Sequence, residues 1–387
     1  MRIQAMRDCV GEPMKNSCCL ADNLSDCSEN HVIPKLSVIV PAYQAVNSIE
    51  RLLHSLLTWD GDDMEIIVVD DGSTDDTASV VSAVASVDNR VRLVSQSNKG
   101  RSSARNAGVS QAHGEWIMFA DSDDFYLETW SGEVLDAIRT GDNLAIFGMT
   151  QSSNLDTAKE SLDFSSCKLS ASVVLDALVN NSMCAIVESA DSFEWNACWA
   201  RLYRKSIVEK VAAANGGDAF PIGLKFSEDR LFNLAYLKAM GDSEVAFDYT
   251  PVYYWDMGLS STVAKASPND PESLIAFSKA VDTVGSLSGF SDEAPKIIAI
   301  EAATHFRRSA SLPVSQLWAA SKSWHLVIES GVLLKCAGLL DEFIGGNTRA
   351  YRPALTLLLA DKPLGALMFA HAAKTVGTVL KSLGGDR

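Results

Sequence analysis

Ile66-Ile67-Val68-Val69-Asp70-Asp71-Gly72-Ser73-Thr74-Asp75 is the stretch on which the fold turns. Four apolar residues cut off by a polar, glycine-containing run read as a strand covered on both faces that ends in a turn. Trp116-Ile117-Met118-Phe119 runs into Asp121-Ser122-Asp123-Asp124 in the same way. Both acidic clusters fall where a buried strand runs out, the edge at which open α/β sheets bind ligands. Carboxylates at neighbouring strand ends repel one another unless a cation or hydrogen-bond donors lie between them. A divalent metal and a nucleotide meet that need, so the placement points to an enzyme acting on a nucleotide-activated substrate.

Working outward, Leu36–Pro41 reads as another covered strand. Asn47 is placed to cap a helix whose stripe is Ile49, Leu52, Leu53, Leu56 and Leu57. Strand Glu65–Val69 follows, then a helix with Thr77, Val80, Val81 and Val84 on one face. Strand Val91–Val94, helix Arg101–Gln111, strand Trp116–Ala120 and a further strand at Leu144–Phe147 complete the pattern. Strands alternating with helices imply βαβ units and a parallel sheet. Aromatic clusters mark 195–203 and 253–255, and helical periodicity takes over from about residue 265.

The chain has 387 residues, 47% of them hydrophobic and 21% charged, with a net charge of −16. Such a balance argues against a nucleic-acid-binding face, so an anionic substrate must be held by local cations or a metal. Cys9, Cys18, Cys19 and Cys27 crowd the start, and Cys167, Cys184, Cys198 and Cys336 are scattered. No CxxC spacing is present to suggest structural zinc, and reduced thiols are expected. The N-terminal residues lack the apolar core of a signal peptide. A cytoplasmic protein is expected, peripheral at most to the inner face of the plasma membrane.

Ser37-Val38-Ile39-Val40-Pro41-Ala42-Tyr43, the Asp70–Asp75 run, Lys99-Gly100 with Ser103-Ala104-Arg105-Asn106, and Asp121–Asp124 together resemble the nucleotide-sugar half of glycosyltransferase family 2. The likeness continues through Trp199–Lys205 and Phe226–Asn233, which resemble the acceptor half of bacterial members that build capsules and exopolysaccharides. It covers about Leu36 to Ser261. The resemblance implies a GT-A, Rossmann-like α/β fold with a mostly parallel sheet. The division expected is a tail over 1–34, a catalytic domain over 35–262 and a helical appendage over 263–387.

It also implies an inverting transfer from a nucleoside-diphosphate sugar, with UDP as the expected nucleotide, to a hydroxyl of a growing glycan or lipid-linked acceptor. Carried over residue by residue, Asp71 accepts a hydrogen bond from the base, Asp70 orients the loop, and Pro41, Ala42 and Tyr43 wall the pocket. Read without the resemblance, Asp71, Ser73 and Asp75 are helix-capping residues and Tyr43 a core aromatic. Lys99 and Arg105 bring positive charge to the diphosphate, although a helical arginine also fits a surface pair with an aspartate. Asp121 and Ser122 approach the ribose, and Asp123 binds Mg²⁺ or Mn²⁺.

Asp229 is the expected general base, with Glu228 as the alternative. A helix dipole alone would also favour carboxylates there. Trp195, Trp199, Arg201 and Tyr203 are expected on the acceptor side. Similar proteins often carry an arginine after the tyrosine pair, where this chain has Trp255-Asp256, so no phosphate contact is expected from that segment. His305, His325 and His371 read as ordinary helix residues.

Competing readings are a glycan- or sugar-nucleotide-binding module without catalysis, a nucleotidyltransferase and a dinucleotide oxidoreductase. The last two lack their glycine-rich loops after the first strand. In the appendage, Asp361-Lys362-Pro363 breaks the apolar runs 355–360 and 364–373 before either can span a bilayer. An interfacial helix near Lys374 and Lys381 or a packed helical subdomain remains.

Overall fold

A computed structural model of the chain describes residues 34–59, 63–151, 166–187, 192–256, 266–336, 339–340 and 352–383. The expected tail, with its four cysteines, lies outside these residues apart from Pro34.

The covered strands form where the apolar runs demand them. Strand β1 (Leu36–Ala42), β2 (Met64–Asp70) and β4 (Trp116–Phe119) are buried at every position. Strand β3 (Val91–Ser95) is less buried, as suits an edge. The four are parallel in the order β3-β2-β1-β4. Between them run α1 (Ile49–Leu56), α2 (Thr77–Ala85) and α3 (Arg101–Gln111). Ile49, Leu52, Leu53 and Leu56 of α1 are fully covered, as the stripe requires. The cap differs from expectation: Ser48 holds the N-cap position, and its hydroxyl donates to the Ala45 carbonyl instead of capping the helix.

The second half widens the sheet. After β5 (Phe125–Tyr126), α4 (Trp130–Thr140), β6 (Leu144–Gln151), β7 (Cys167–Ser170) and α5 (Ala171–Val179), the chain returns through β8 (Arg201–Arg204). Strand β8 lies antiparallel between β4 and β6. Helices α6 (Lys205–Ala214) and α7 (Glu228–Met240) lead to β9 (Glu244–Trp255). That long strand is parallel to β6 and antiparallel to β5 and β7. The parallel half therefore carries the nucleotide-type turns, and the mixed half brings α7 beside them.

Helices α8 (Ser273–Ser288), α9 (Ala294–Ala310), α10 (Val314–Glu329), α11 (Arg352–Leu359) and α12 (Pro363–Leu383) follow. One apolar cluster runs from Ile39 and Phe119 through Phe232 and Leu234 to Phe306 and Trp324, so these helices share a core with the sheet. No helix among the described residues is long and apolar enough to cross a membrane. Of the described cysteines, Cys167, Cys184, Cys198 and Cys336 are all free thiols.

A charged anchor supplements the core. Asp270, 1% exposed, accepts from Lys225 Nζ at 2.9 Å and from the Ser267 amide, and pairs with Arg308 at 3.5 Å. Burial opposes its charge, but these donors hold its carboxyl below the ordinary value. Its stabilisation is therefore full above the unfolded-state pKa and is lost as pH falls through the lower folded value. Asp270→Asn should cost about 1–3 kcal/mol at pH 7. Urea unfolding should show the gap from wild type closing towards pH 3; a gap that persists there would contradict the ionic account.

Candidate active site

The carboxyl ends of β1, β2 and β4 open onto one edge, and three turns meet there. In the first, Gly72 has φ +74°, and a Cβ would sit 2.7 Å from the Asn98 nitrogen. The absent side chain thus lets the loop after β3 lie against the turn after β2. Asp71 fixes that contact: its Oδ1 accepts from the Lys99 amide at 2.9 Å and Gln96 Nε2 at 2.7 Å, and its Oδ2 from the Gly100 amide at 2.8 Å. Asp70 accepts from the Ser73 amide. Asp75 accepts from the amide and hydroxyl of Thr77, the capping job anticipated for it. Pro41 and Ala42 are buried, whereas Tyr43 is 52% exposed and no core aromatic. Of the three, Tyr43 alone offers a face to a ligand. Next to it, Gln44 adopts φ +54° and clamps Ser73, Thr74 and Asp75.

The second turn holds Asp121, Ser122, Asp123 and Asp124. Asp124 is structural: Tyr253 Oη donates to it at 2.7 Å and the Asp256 amide at 2.8 Å. Burial, with the charges of Asp121 and Asp123 adding, pushes it up to about 8. Asp123 is raised as well, by burial first and then by the charges of Asp121 and Asp256. Arg51 of α1 donates to the Asp123 carbonyl at 2.7 Å and pairs with Asp256 at 3.0 Å.

Crowded, half-buried carboxylates suit a hard divalent cation that takes its remaining oxygens from a diphosphate and water. The described residues hold no group of three or more His, Cys, Asp or Glu able to form a cage, so Asp123 fits such a cation only in that substrate-completed way.

The third element joins the halves. Arg105 is fully buried on α3, its guanidinium 5.3 Å from the centre of the Phe220 ring. Its Nη2 pairs with Asp121 at 2.8 Å, and its Nη1 with Asp229 at 2.6 Å and Glu228 at 3.1 Å. Arg101, one turn earlier, pairs with Glu228 at 2.8 Å. Asp229 is disfavoured as an anion by burial, yet Arg105 and Arg101 hold its carboxyl below the usual range. Burial and the charge of Asp229 push Glu228 up. Asp229 is thus the carboxylate more readily ionised of the two, and its side chain is 18% exposed against 2% for Glu228.

Several expected roles change. Arg105 is neither a surface residue nor a free charge for a diphosphate, because three carboxylates occupy it. Among the described residues, cations near this edge with some exposure are Lys99, exposed with its amide on Asp71, and Arg101, 38% exposed and paired with Glu228. Arg201 and Tyr203 cannot line an acceptor site, being 1% and 0% exposed. Arg201 donates to the carbonyls of Glu194 and Trp195, and Tyr203 to Asn233. Trp199 is 5% exposed, and its ring stacks on Tyr253 at 4.6 Å, so that face is taken. Trp195 packs on Phe193 and Phe247.

Arg51 and Arg101 were missed. Arg101 had a signal: a cation in a first helical turn opposes the helix dipole and calls for a neighbouring anion. His305 lies within α9, as expected of a helix residue, and is buried against Glu301 at 3.3 Å.

Residues 37–179 match the family described as Glycosyl transferase family 2. Over 235 residues, 60% of the chain, it is 30% identical to the succinoglycan biosynthesis protein ExoO of Rhizobium meliloti. Over 209 residues, 53% of the chain, it is 33% identical to an uncharacterized glycosyltransferase, EpsJ, of Bacillus subtilis. The chain spans 64% and 56% of those relatives' lengths. The structure of S. aureus TarS 1-349 in complex with UDP-GlcNAc superposes with a TM-score of 0.60 at 19% identity. The match covers 89% of this chain and 92% of that one, a likeness of GT-A fold. Taken with the turns after β2 and β4, the match makes residues 37–179 of the chain similar to glycosyl transferase family 2.

Proposed function

We propose that the protein is an inverting, metal-dependent glycosyltransferase. It would transfer a sugar from a nucleoside diphosphate, UDP by the family motif, to a hydroxyl of a surface glycan or lipid-linked acceptor. The observation that carries this reading is Arg105, which gathers Asp121, Glu228 and Asp229 at the edge shared with Asp71 and Asp123. The donor base lies between Tyr43 and the loop that Asp71 orders. Lys99 and Arg101 face the diphosphate, and Asp121 and Ser122 the ribose. Asp123 would hold a Mg²⁺ or Mn²⁺ ion, which would supply neutralisation of the leaving diphosphate.

Asp229 accepts the proton of the acceptor hydroxyl as its oxygen attacks the anomeric carbon. The bond to the diphosphate breaks, and the nucleoside diphosphate leaves with that electron pair. The succinoglycan biosynthesis in ExoO's name and the UDP-GlcNAc in complex with TarS support the choice of donor and acceptor class. We place a lipid-linked acceptor near the exposed Trp318, Met368 and Phe369 of α10 and α12, at the cytoplasmic membrane face.

Thermal shift with UDP and UDP-sugars tests the reading. Each true ligand should raise Tm by mass action, more strongly with Mn²⁺ present. Asp123→Ala should abolish the extra Mn²⁺-dependent shift and cut transfer at least about a hundredfold. Binding without transfer by wild type would favour the non-catalytic module instead.

A further inference from the structure

We infer that Glu301, on α9 of the C-terminal helices, is a positioning residue for the carboxylate pair that opens α7. The inference rests on the glycosyltransferase reading and extends its site to a region outside the family match, which ends at residue 179.

Ser227, immediately before the pair, adopts φ +63°, a left-handed conformation that L side chains disfavour. Its hydroxyl does not cap α7; it donates to Glu301 Oε1 at 2.8 Å. Arg230, immediately after the pair, faces Glu301 Oε2 at 3.9 Å. One buried carboxylate, 6% exposed, therefore grips the chain on both sides of Glu228-Asp229.

Its own orientation is fixed by His305 at 3.3 Å, one turn along α9. The two residues before Ser227 are held from the same region. Asp270 takes Lys225, and the Phe226 ring lies against His305 and Arg308. A strained turn held in place by its surroundings is how a site keeps a reacting group pre-aligned. Here the surroundings are the C-terminal helices, and the aligned group is Asp229.

The test uses the full chain. Glu301→Met, which fills a similar volume but offers Ser227 no acceptor, should lower kcat about tenfold. Donor KM and calorimetric UDP affinity should stay within about twofold of wild type. Ser227→Ala, which removes only the hydroxyl, should give the same signature and serves if Glu301→Met fails to fold. The double variant should be no slower than the slower single, since both cut one link. An unchanged kcat in either folded variant overturns the inference, as does a double variant whose losses multiply or a parallel collapse of UDP affinity. If wild type binds UDP but transfers nothing, the glycosyltransferase reading fails and the inference falls with it.

Discussion

Asp229→Asn is expected to lower kcat by about 10²–10⁴-fold, the usual contribution of a general base. UDP affinity should change by no more than about twofold, because Asp229 lies on the α7 side of Arg105, away from the turns that would hold the nucleotide. Asparagine keeps the shape and can still meet solvent, but its amide cannot take a proton from the attacking hydroxyl.

Glu228 is no substitute. Removing the neighbouring charge relieves one of the two main causes of its raised pKa, so it ionises more readily in the variant. Yet its side chain is 2% exposed, and its Oε1 is already held by Arg101 and Arg105. Glu228→Gln should therefore be the milder change. Single-turnover transfer and calorimetric UDP binding on the two variants check this. Asp229→Asn turning over within about tenfold of wild type, or losing UDP in step with kcat, would remove Asp229 from the base's role.

The contrast between these neighbours shows what the sequence could and could not reveal. The acidic turns after β2 and β4 were legible because an apolar run sets a strand's end and the turn residues declare themselves there. The α1 stripe was legible by the same periodic logic. Arg105 was not: on a helix of polar and small residues it looks solvated, and its burial depends on Glu228 and Asp229, 123 and 124 positions away.

Arg201 and Tyr203 misled for a related reason. Aromatic and arginine side chains on a strand read equally as a sugar platform or as core. What decides is that β8 lies inside the sheet with both faces covered, since Arg201, Leu202 and Tyr203, which alternate between the faces, are all buried. The tie from Ser227 to Glu301 spans 74 residues and carries no local periodicity, so no pattern in the chain announces it.

Arg105→Met should be the most destabilising single change at the site, costing about 3–5 kcal/mol at pH 7, because it strands buried charge without a partner. Arg105→Lys should fold better and still work poorly. The guanidinium divides its two amino groups, Nη2 to Asp121 and Nη1 to Asp229 and Glu228. A single ammonium is a point charge that cannot reproduce that fork. The end of β4 and the start of α7 then lose their common anchor, and a misplacement of about 1 Å between them suffices for a loss near 10² in kcat.

The sign of the pH response separates this account from simple loss of packing. Without the guanidinium, burial pushes the carboxylates upwards, so in the folded variant they bind protons at a pH where the unfolded chain's do not. The penalty is then greatest at neutral to alkaline pH and shrinks on acidification. Urea unfolding of wild type and Arg105→Met at pH 7.5 and 5 measures it directly. A gap that narrows at the lower pH marks a charge clamp joining the two halves of the site, whereas a gap equal at both would make Arg105 a packing residue and leave the meeting of Asp121 with Asp229 without a cause.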